Sequence, residues 1–424
     1  MRAVVAGGGL AGLAAALELR EAGHEVTLLE ARPTLGGAVQ TLPAREGDPD
    51  PPPDNGQHIA LGCCTEYLEF LRRVGESGAV RREPLSLPVI DERGRVARIG
   101  PGPLALLRYR HVTLADRLAI ARAARRLRSL VPEEHDGETF GALLRRLGQS
   151  QTAIDRFWDV FVRPALNLRS DEVSAAPALF TVQTALLGDR SASDLLLPVA
   201  PLGAMHGEAA GRELAGRGAD VRTGARVTGL AEGGVVLAGG ERLEADLVVL
   251  ALPPAESARL LDEPAPDLGD SPIVSLHLLV DRPILPFELA ALLGSSAHWV
   301  FDRGRLTGRE PDRGQYLTVV SSGVPELLEV RGRALVDLLA GEVVRRLGPA
   351  ELIWSRVSRE PAATFAARPG TLGLRAGVAT GRPGVVRAGA WTNTGWPATM
   401  EGAVRSGRAA ARQVAQSLST RVPA

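Results

Sequence analysis

The chain opens on a short apolar run, Ala3 to Ala6, followed by a helical spacing from Leu10 to Ala22 and a second run, Glu25 to Glu30, carried by Val26, Leu28 and Leu29. Short apolar runs on either side of an apolar helix predict a compact βαβ start. A Pro- and Asp-rich stretch, Pro43 to Asp54, breaks regular structure and predicts a loop leading into Asp54-Asn55-Gly56-Gln57-His58. From about 103 to 200 the pattern is mostly helical and reads as an insertion. It holds one Arg-rich amphipathic segment, Thr113 to Leu130, with Arg117, Arg122, Arg125, Arg126 and Arg128 expected opposite Leu114, Leu118, Leu127 and Leu130. Strand character returns at Val221 to Leu230, Val235 to Leu237 and Leu243 to Leu252, where the first domain is expected to resume. Alternation at Ile273 to Val280 and Tyr316 to Ser321 predicts a second sheet, with a helix near Arg333 to Leu347. Gly384 to Ala390 reads as a strand and Thr399 to Leu418 as a closing helix.

A length of 424 residues suits two domains, and 45% apolar with 23% charged residues is ordinary globular composition. Basic and acidic residues balance at 49 each, which argues against a nucleic-acid partner. Every basic residue is arginine. A Walker lysine, a Schiff-base lysine and a flavin-facing lysine are thereby excluded. Cys63 and Cys64 are adjacent, too close for a good structural disulfide, which fits a reducing cytoplasm. The N-terminal apolar run carries glycines and Glu18, unlike a signal peptide, and no uncharged run reaches the roughly 18 residues of a membrane span.

Gly7-x-Gly9-x-x-Gly12 follows a strand and opens a helix, so the backbone around Leu10 and Ala11 can approach a pyrophosphate with no side chain in the way. Glu30 ends the second strand, eighteen residues after Gly12, where a carboxylate can accept both ribose hydroxyls of an adenosine. Beyond it runs Glu30-Ala31-Arg32-Pro33-Thr34-Leu35-Gly36-Gly37, a second glycine pair. The C-terminal block reads Gly389-Ala390-Trp391-Thr392-Asn393-Thr394-Gly395-Trp396-Pro397-Ala398-Thr399-Met400-Glu401-Gly402. There Pro397 and Thr399 predict a helix start whose positive end would favour negative charge.

Together these motifs resemble the flavoprotein superfamily of amine oxidases, protoporphyrinogen oxidase and carotenoid desaturases. The resemblance implies an α/β fold: a Rossmann-like FAD-binding domain of the glycine-doublet type, 1–62, 205–255 and 380–424, interleaved with an α+β substrate domain of mixed sheet and helices, 63–204 and 256–379. It implies FAD, with Glu30, Ala31 and Arg32 at the adenosine and the Val227 backbone at the adenine. Gly36, Gly37, Ala38, Asn55, Gly56, Gly389, Trp391, Trp396, Ala398, Thr399 and Met400 would lie along the remainder of the cofactor. Ala38 stands where arginine is usual and Ala390 where aspartate is usual, which would weaken contacts to phosphate or ribityl groups.

Within the superfamily, the segment 54–58, Cys63-Cys64, Phe70-Leu71-Arg72-Arg73 and Trp396 to Gly407 resemble the hydroxysqualene dehydroxylases of hopanoid biosynthesis. That family replaces an allylic hydroxyl by hydrogen, giving squalene and oxidised flavin. It implies hydroxysqualene as the isoprenoid substrate, neighbouring squalene-pathway enzymes as partners, and an external electron donor, since no second nucleotide motif occurs. His58 is the first candidate acid, with Asp54 as its orienting partner and Gln57 near the flavin ring or leaving water. His58 reads equally as a structural histidine and Asn55 as a loop stabiliser. Trp391 and Trp396 read either as cation-stabilising faces or as packing, Glu401 as a second acid or a helix-dipole complement, and the cysteines as buried thiols. The Arg-rich segment reads either as a peripheral contact with the inner face of the cytoplasmic membrane or as a solvated face. Alternative functions are a carotenoid or phytoene desaturase and a non-catalytic flavin- or lipid-binding partner of prenyl synthases. An amine oxidase ranks lower, with only Tyr67, Tyr109 and Tyr316 available for an aromatic cage.

Overall fold

In the computed structural model, which describes residues 1–419, strand β1 (Arg2–Ala6) lies at the centre of a five-stranded parallel sheet. One flank is β2 (Glu25–Glu30) then Asp220–Thr223; the other is Leu247–Leu250 then Val385–Arg387. Helix α1 (Leu10–Glu21) makes the crossover between β1 and β2 and buries nine of its twelve residues, eight of them alanine or leucine. It packs on the sheet and against the C-terminal helix, Met400–Ser419. The other face of the sheet is covered by a three-stranded antiparallel sheet, 227–231, 234–237 and 242–244, through Val227, Val235 and Leu237. The stretch expected as one strand over 221–230 is therefore two, in different sheets, broken at Gly224, whose φ is +68°.

The second sheet has seven strands, in the order 352–365, 270–280, 315–322, 299–302, 289–292, 87–90 and 96–99. On 270–280 the residues Val274, Leu276, Leu278 and Val280 face the helix Gly332–Leu347. Strand period two then turns Ser275 and His277 to the opposite face, together with Tyr316 and Thr318 of the neighbouring strand. That face looks toward the loop containing Asp54, and the helical insertion packs its core beyond it.

Helix α2 (Thr65–Arg73) places Tyr67, Phe70 and Leu71 in the same core as α1. Within the insertion, α3 (Pro103–Arg108) leads to α4 (Leu114–Leu127), which Thr113 and Asp116 start with a reciprocal capping box. The segment is amphipathic and buries Leu127, but Leu114 and Leu118 do not lie opposite the arginines as expected. Asp116 is buried, accepting from Thr113 and from Ser150 Oγ, and it turns Ala119, Ile120, Ala123 and Leu127 inward. Leu114 and Leu118 are left exposed on the same side as Arg122 and Arg125. Among the described residues no helix is long and apolar enough to cross a membrane.

Candidate active site

At the end of β1 the backbone turns at Gly7, and a Cβ on Gly12 would sit 1.8 Å from the Gly7 carbonyl oxygen, so this turn accepts only glycine. The second glycine pair packs directly on it. The Gly36 amide donates to the Gly8 carbonyl at 2.8 Å, and a Cβ on Gly37 would lie 2.8 Å from the Gly9 Cα. Helix α1 starts at Gly9 with no side-chain cap and no acidic residue in its first turn, so its amides and positive end are open to an anion. Glu30 is buried at the end of β2, its carboxylate accepting from the Gly8 and Arg32 amides, both at 2.7 Å. The Gly224 and Ala225 amides donate to the Arg32 and Glu30 carbonyls and bring the strand that starts at Val227 beside them. Ala31 and Arg32 are exposed at the rim. A strand end, an uncapped helix and a carboxylate thus converge with bare backbone between them, and this cradle fits a dinucleotide.

The loop 54–58 crosses from this cradle to the second sheet. Asp54 does not orient His58; its carboxylate is held by Arg303 Nη1 at 2.6 Å, Thr41 Oγ1 at 2.6 Å and the Leu202 amide at 3.0 Å. Arg303 outcompetes the imidazole because it is a permanent cation brought to the loop from the far side. Asn55 stabilises the loop, donating to the Ala38 carbonyl at 2.8 Å and accepting from the Gln40 amide at 3.3 Å. Gly56 faces Ser275, whose Oγ would stand 3.2 Å from a Cβ added there. Gln57 Oε1, Ser275 Oγ and Gln40 Nε2 are buried and have no hydrogen-bond partner within the protein. Buried polar atoms are rarely left unpaired, and a bound group carrying both donors and acceptors would satisfy these.

His58 sits deep in the protein yet keeps some open surface, and burial pushes its imidazole down to about 4. Close to it lies His206, also pushed down to about 4 by burial. His206 donates from Nδ1 to the Leu202 carbonyl, so its Nε2 accepts the Tyr67 hydroxyl at 2.8 Å. Both imidazoles are neutral at neutral pH. Sequence reasoning missed Arg303, His206, Ser275 and His277, and considered Tyr67 only for an aromatic cage. Two of these carried a signal, since Ser275 and His277 are polar positions alternating within an otherwise apolar strand.

In the C-terminal block, Thr399 Oγ1 caps the last helix by accepting from the Gly402 amide at 3.1 Å, with Ala398 and Met400 half-buried beside it. Trp391 is buried and donates Nε1 to the Leu252 carbonyl at 2.9 Å, which is a packing arrangement. Trp396 lies 4.6 Å beneath the Arg405 guanidinium and edge-on to Phe180. Glu401 is fully buried and serves the start of α2, accepting from the Glu66 and Tyr67 amides at 3.2 and 2.7 Å. Cys63 and Cys64 are free thiols, half-buried rather than fully buried.

The model of the flavin-containing amine oxidoreductase family matches residues 10–415. The chain belongs to this family. It is an FAD-dependent oxidoreductase. Hydroxysqualene dehydroxylase of Rhodopseudomonas palustris is 31% identical over 433 aligned residues, spanning 96% of each chain. The 15-cis-phytoene desaturase of Solanum lycopersicum is 24% identical, over 97% of this chain and 77% of that one. An oxidoreductase from Methanosarcina mazei superposes with a TM-score of 0.75 at 19% identity, covering 98% of this chain and all of that one, and so shares the fold.

The chain carries alanine at both departures from the superfamily pattern, and the structure gives their backbones other partners. The Ala38 carbonyl takes the Asn55 amide. The Ala390, Trp391 and Thr392 carbonyls all accept from Arg375, at 3.2, 3.2 and 2.6 Å. Arg375 is buried and pairs with no carboxylate among the described residues, and burial pushes its guanidinium down to about 10.

Proposed function

We propose that the protein reduces the allylic alcohol hydroxysqualene to squalene, in hopanoid and squalene biosynthesis. The observation that carries this reading is the collinear similarity to a hydroxysqualene dehydroxylase over 96% of both chains. The cradle of Gly7, Gly9, Leu10, Ala11 and Gly12 would hold the FAD diphosphate, and Glu30 and Arg32 the adenosine. Gly36, Gly37, Ala38, Asn55 and Gly56 would border the ribityl side, with Val227 at the adenine. Gly389 and the residues from Ala398 to Met400 would set the helix start toward the pyrimidine, where a positive helix end stabilises negative charge.

In balance, R–OH, a hydride and a proton give R–H and water: the C–O bond breaks and a C–H bond forms at the allylic carbon. When bound and reduced, FAD supplies the hydride. Hydroxide leaves poorly, so the chain must deliver a proton to the leaving oxygen. His58 is the proposed donor. An imidazolium whose pKa burial holds near 4 is a strong acid present in small amount at neutral pH, so turnover should rise as pH falls toward that value. Gln57 Oε1, buried and without a partner, would accept from the departing water. Asp54, bound to Arg303, holds the loop in place. The electron donor that reduces the flavin comes from outside the chain.

An anaerobic single turnover tests the reading. Photoreduced holoenzyme is mixed with hydroxysqualene while flavin reoxidation is followed and the extract is examined by mass spectrometry. Squalene formed in step with reoxidation is expected; reduced flavin persisting beside untouched substrate would overturn it. The likeness to a phytoene desaturase over 97% of this chain favours a second reading, in which oxidised FAD removes hydrogens from a carotenoid precursor. Bleaching of oxidised flavin by phytoene without oxygen would establish that direction instead.

A further inference from the structure

Helices α3 and α4 together present a surface that is both apolar and basic. Leu104 and Leu107 on α3 are 59% and 49% exposed, and Leu114 and Leu118 on α4 are 60% and 49% exposed. These are four of the ten exposed large apolar side chains of the described structure, gathered within fifteen residues, and scattered exposure would not concentrate them so. Arg117 fixes the two helices together, donating to the Leu107 carbonyl at 2.6 Å and to the Val112 carbonyl at 3.1 Å. Around the leucines stand Arg108, Arg110, Arg122, Arg125, Arg126 and Arg128, all exposed and none in an ion pair. Elsewhere exposed arginines commonly do pair, as with Arg72 and Glu69 or Arg145 and Asp171. The single carboxylate between 103 and 132 is Asp116, buried and engaged with Thr113 and Ser150; the next acids are Glu133 and Glu134.

We propose that this face docks on an anionic lipid bilayer. The leucines would enter the acyl boundary while the arginines lie against headgroup phosphates, leaving the protein on one leaflet. Of the possible occupants, an anionic bilayer matches both halves of the surface. A nucleic acid would use the arginines and leave the leucines in water. The proposal goes beyond the substrate reading and does not depend on it, because vesicle binding is read without turnover.

Holoenzyme is sedimented with vesicles of phosphatidylcholine and phosphatidylglycerol, and separately with phosphatidylcholine alone. Pelleting with the anionic vesicles, weakened by salt, is expected. Arg122→Glu with Arg125→Glu should lower partitioning by about tenfold or more, since each basic residue near an anionic surface is worth roughly fivefold. Leu114→Ser with Leu118→Ser should lower it by about tenfold or more as well. All four positions are exposed, so flavin content and melting temperature should match the parent, and that control separates lost docking from lost fold. Holoenzyme that stays in the supernatant with anionic vesicles, variants that pellet like the parent, or salt-sensitive binding to an oligonucleotide without vesicle binding would each overturn the proposal.

Discussion

The Asp54 carboxylate lies 2.6 Å from the Arg303 guanidinium, and each side chain is only 2% exposed. Asp54 belongs to the loop that leaves the nucleotide cradle, whereas Arg303 opens a short helix after the strand Trp299–Asp302 of the second sheet. The pair therefore bolts one half of the site to the other, and Arg303 also reaches the Pro52 carbonyl at 3.0 Å. Arg303→Met leaves a buried carboxylate without its cation, a change that costs about 3–5 kcal/mol. Chemical denaturation should register that loss; a variant within about 1 kcal/mol of the parent would mean the loop is held mainly by Thr41 and the Leu202 amide.

Gly9 separates cofactor contact from folding. A Cβ added there would meet only the Gly37 Cα, at 3.7 Å, which is ordinary van der Waals contact. Gly9→Ala should leave the melting temperature of the flavin-free protein unchanged while weakening FAD binding by about tenfold or more, since a methyl group would stand where the diphosphate approaches. Fluorescence titration with FAD reads this directly. Unchanged affinity would remove Gly9 from the cofactor contacts.

How much of this was legible in the chain depends on the range over which each feature is specified. The βαβ start could be read because strand, glycine turn, helix and acidic strand end follow one another within thirty residues. The strand 352–365 was missed because it lies at the edge of its sheet and carries Ser355, Arg356, Ser358, Arg359, Glu360 and Pro361, which break the apolar alternation. Asp54 was singled out as the partner of His58, which it is not. Its real partner lies 249 positions away, and nothing around Arg303 in sequence points back to it. In α4 the period was evident, but the sequence alone did not show that Asp116 faces inward and two leucines outward.

The buried histidines make stability fall with acid. Burial pushes His58 and His206 to about 4 and His277 to about 3, against an ordinary 6.5. An unfolded chain takes up these protons near pH 6.5 and the folded chain does not. The stabilisation they provide is therefore complete above 6.5 and is lost as pH falls toward 4, by up to about 1.4 kcal/mol per group per pH unit. Glu401 and Asp159, lifted by burial, offset a small part of this. Denaturation midpoints between about pH 7 and 5 should drop steeply, with proton uptake on unfolding measurable by titration. A flat profile would mean these imidazoles are solvated or protonated in the native state.

Arg375 places a buried cation against the backbone at Ala390. Its three carbonyl bonds organise the turn Ala390-Trp391-Thr392, and its cation has no neighbouring carboxylate to neutralise it. Arg375→Met should lower stability by about 2–4 kcal/mol through unsatisfied carbonyls and should shift the flavin midpoint potential to more negative values. Arg375→Lys should restore part of the potential but less of the stability, because an ammonium cannot span three carbonyls as a planar guanidinium does. An unchanged potential in Arg375→Met would confine the residue to shaping the turn.

The parallel sheet that frames the cradle is completed by Val385–Arg387, and its covering helix begins at Met400, while its central strand is Arg2–Ala6. Until Val385–Arg387 and the helix from Met400 are in place, the sheet keeps an unfinished edge, α1 lacks its partner helix and the α2 amides lack Glu401. Closure of the nucleotide half is thus a late, long-range event. Folding should be slow for a protein of this size, with flavin captured only after these distant segments have joined the β1 turn.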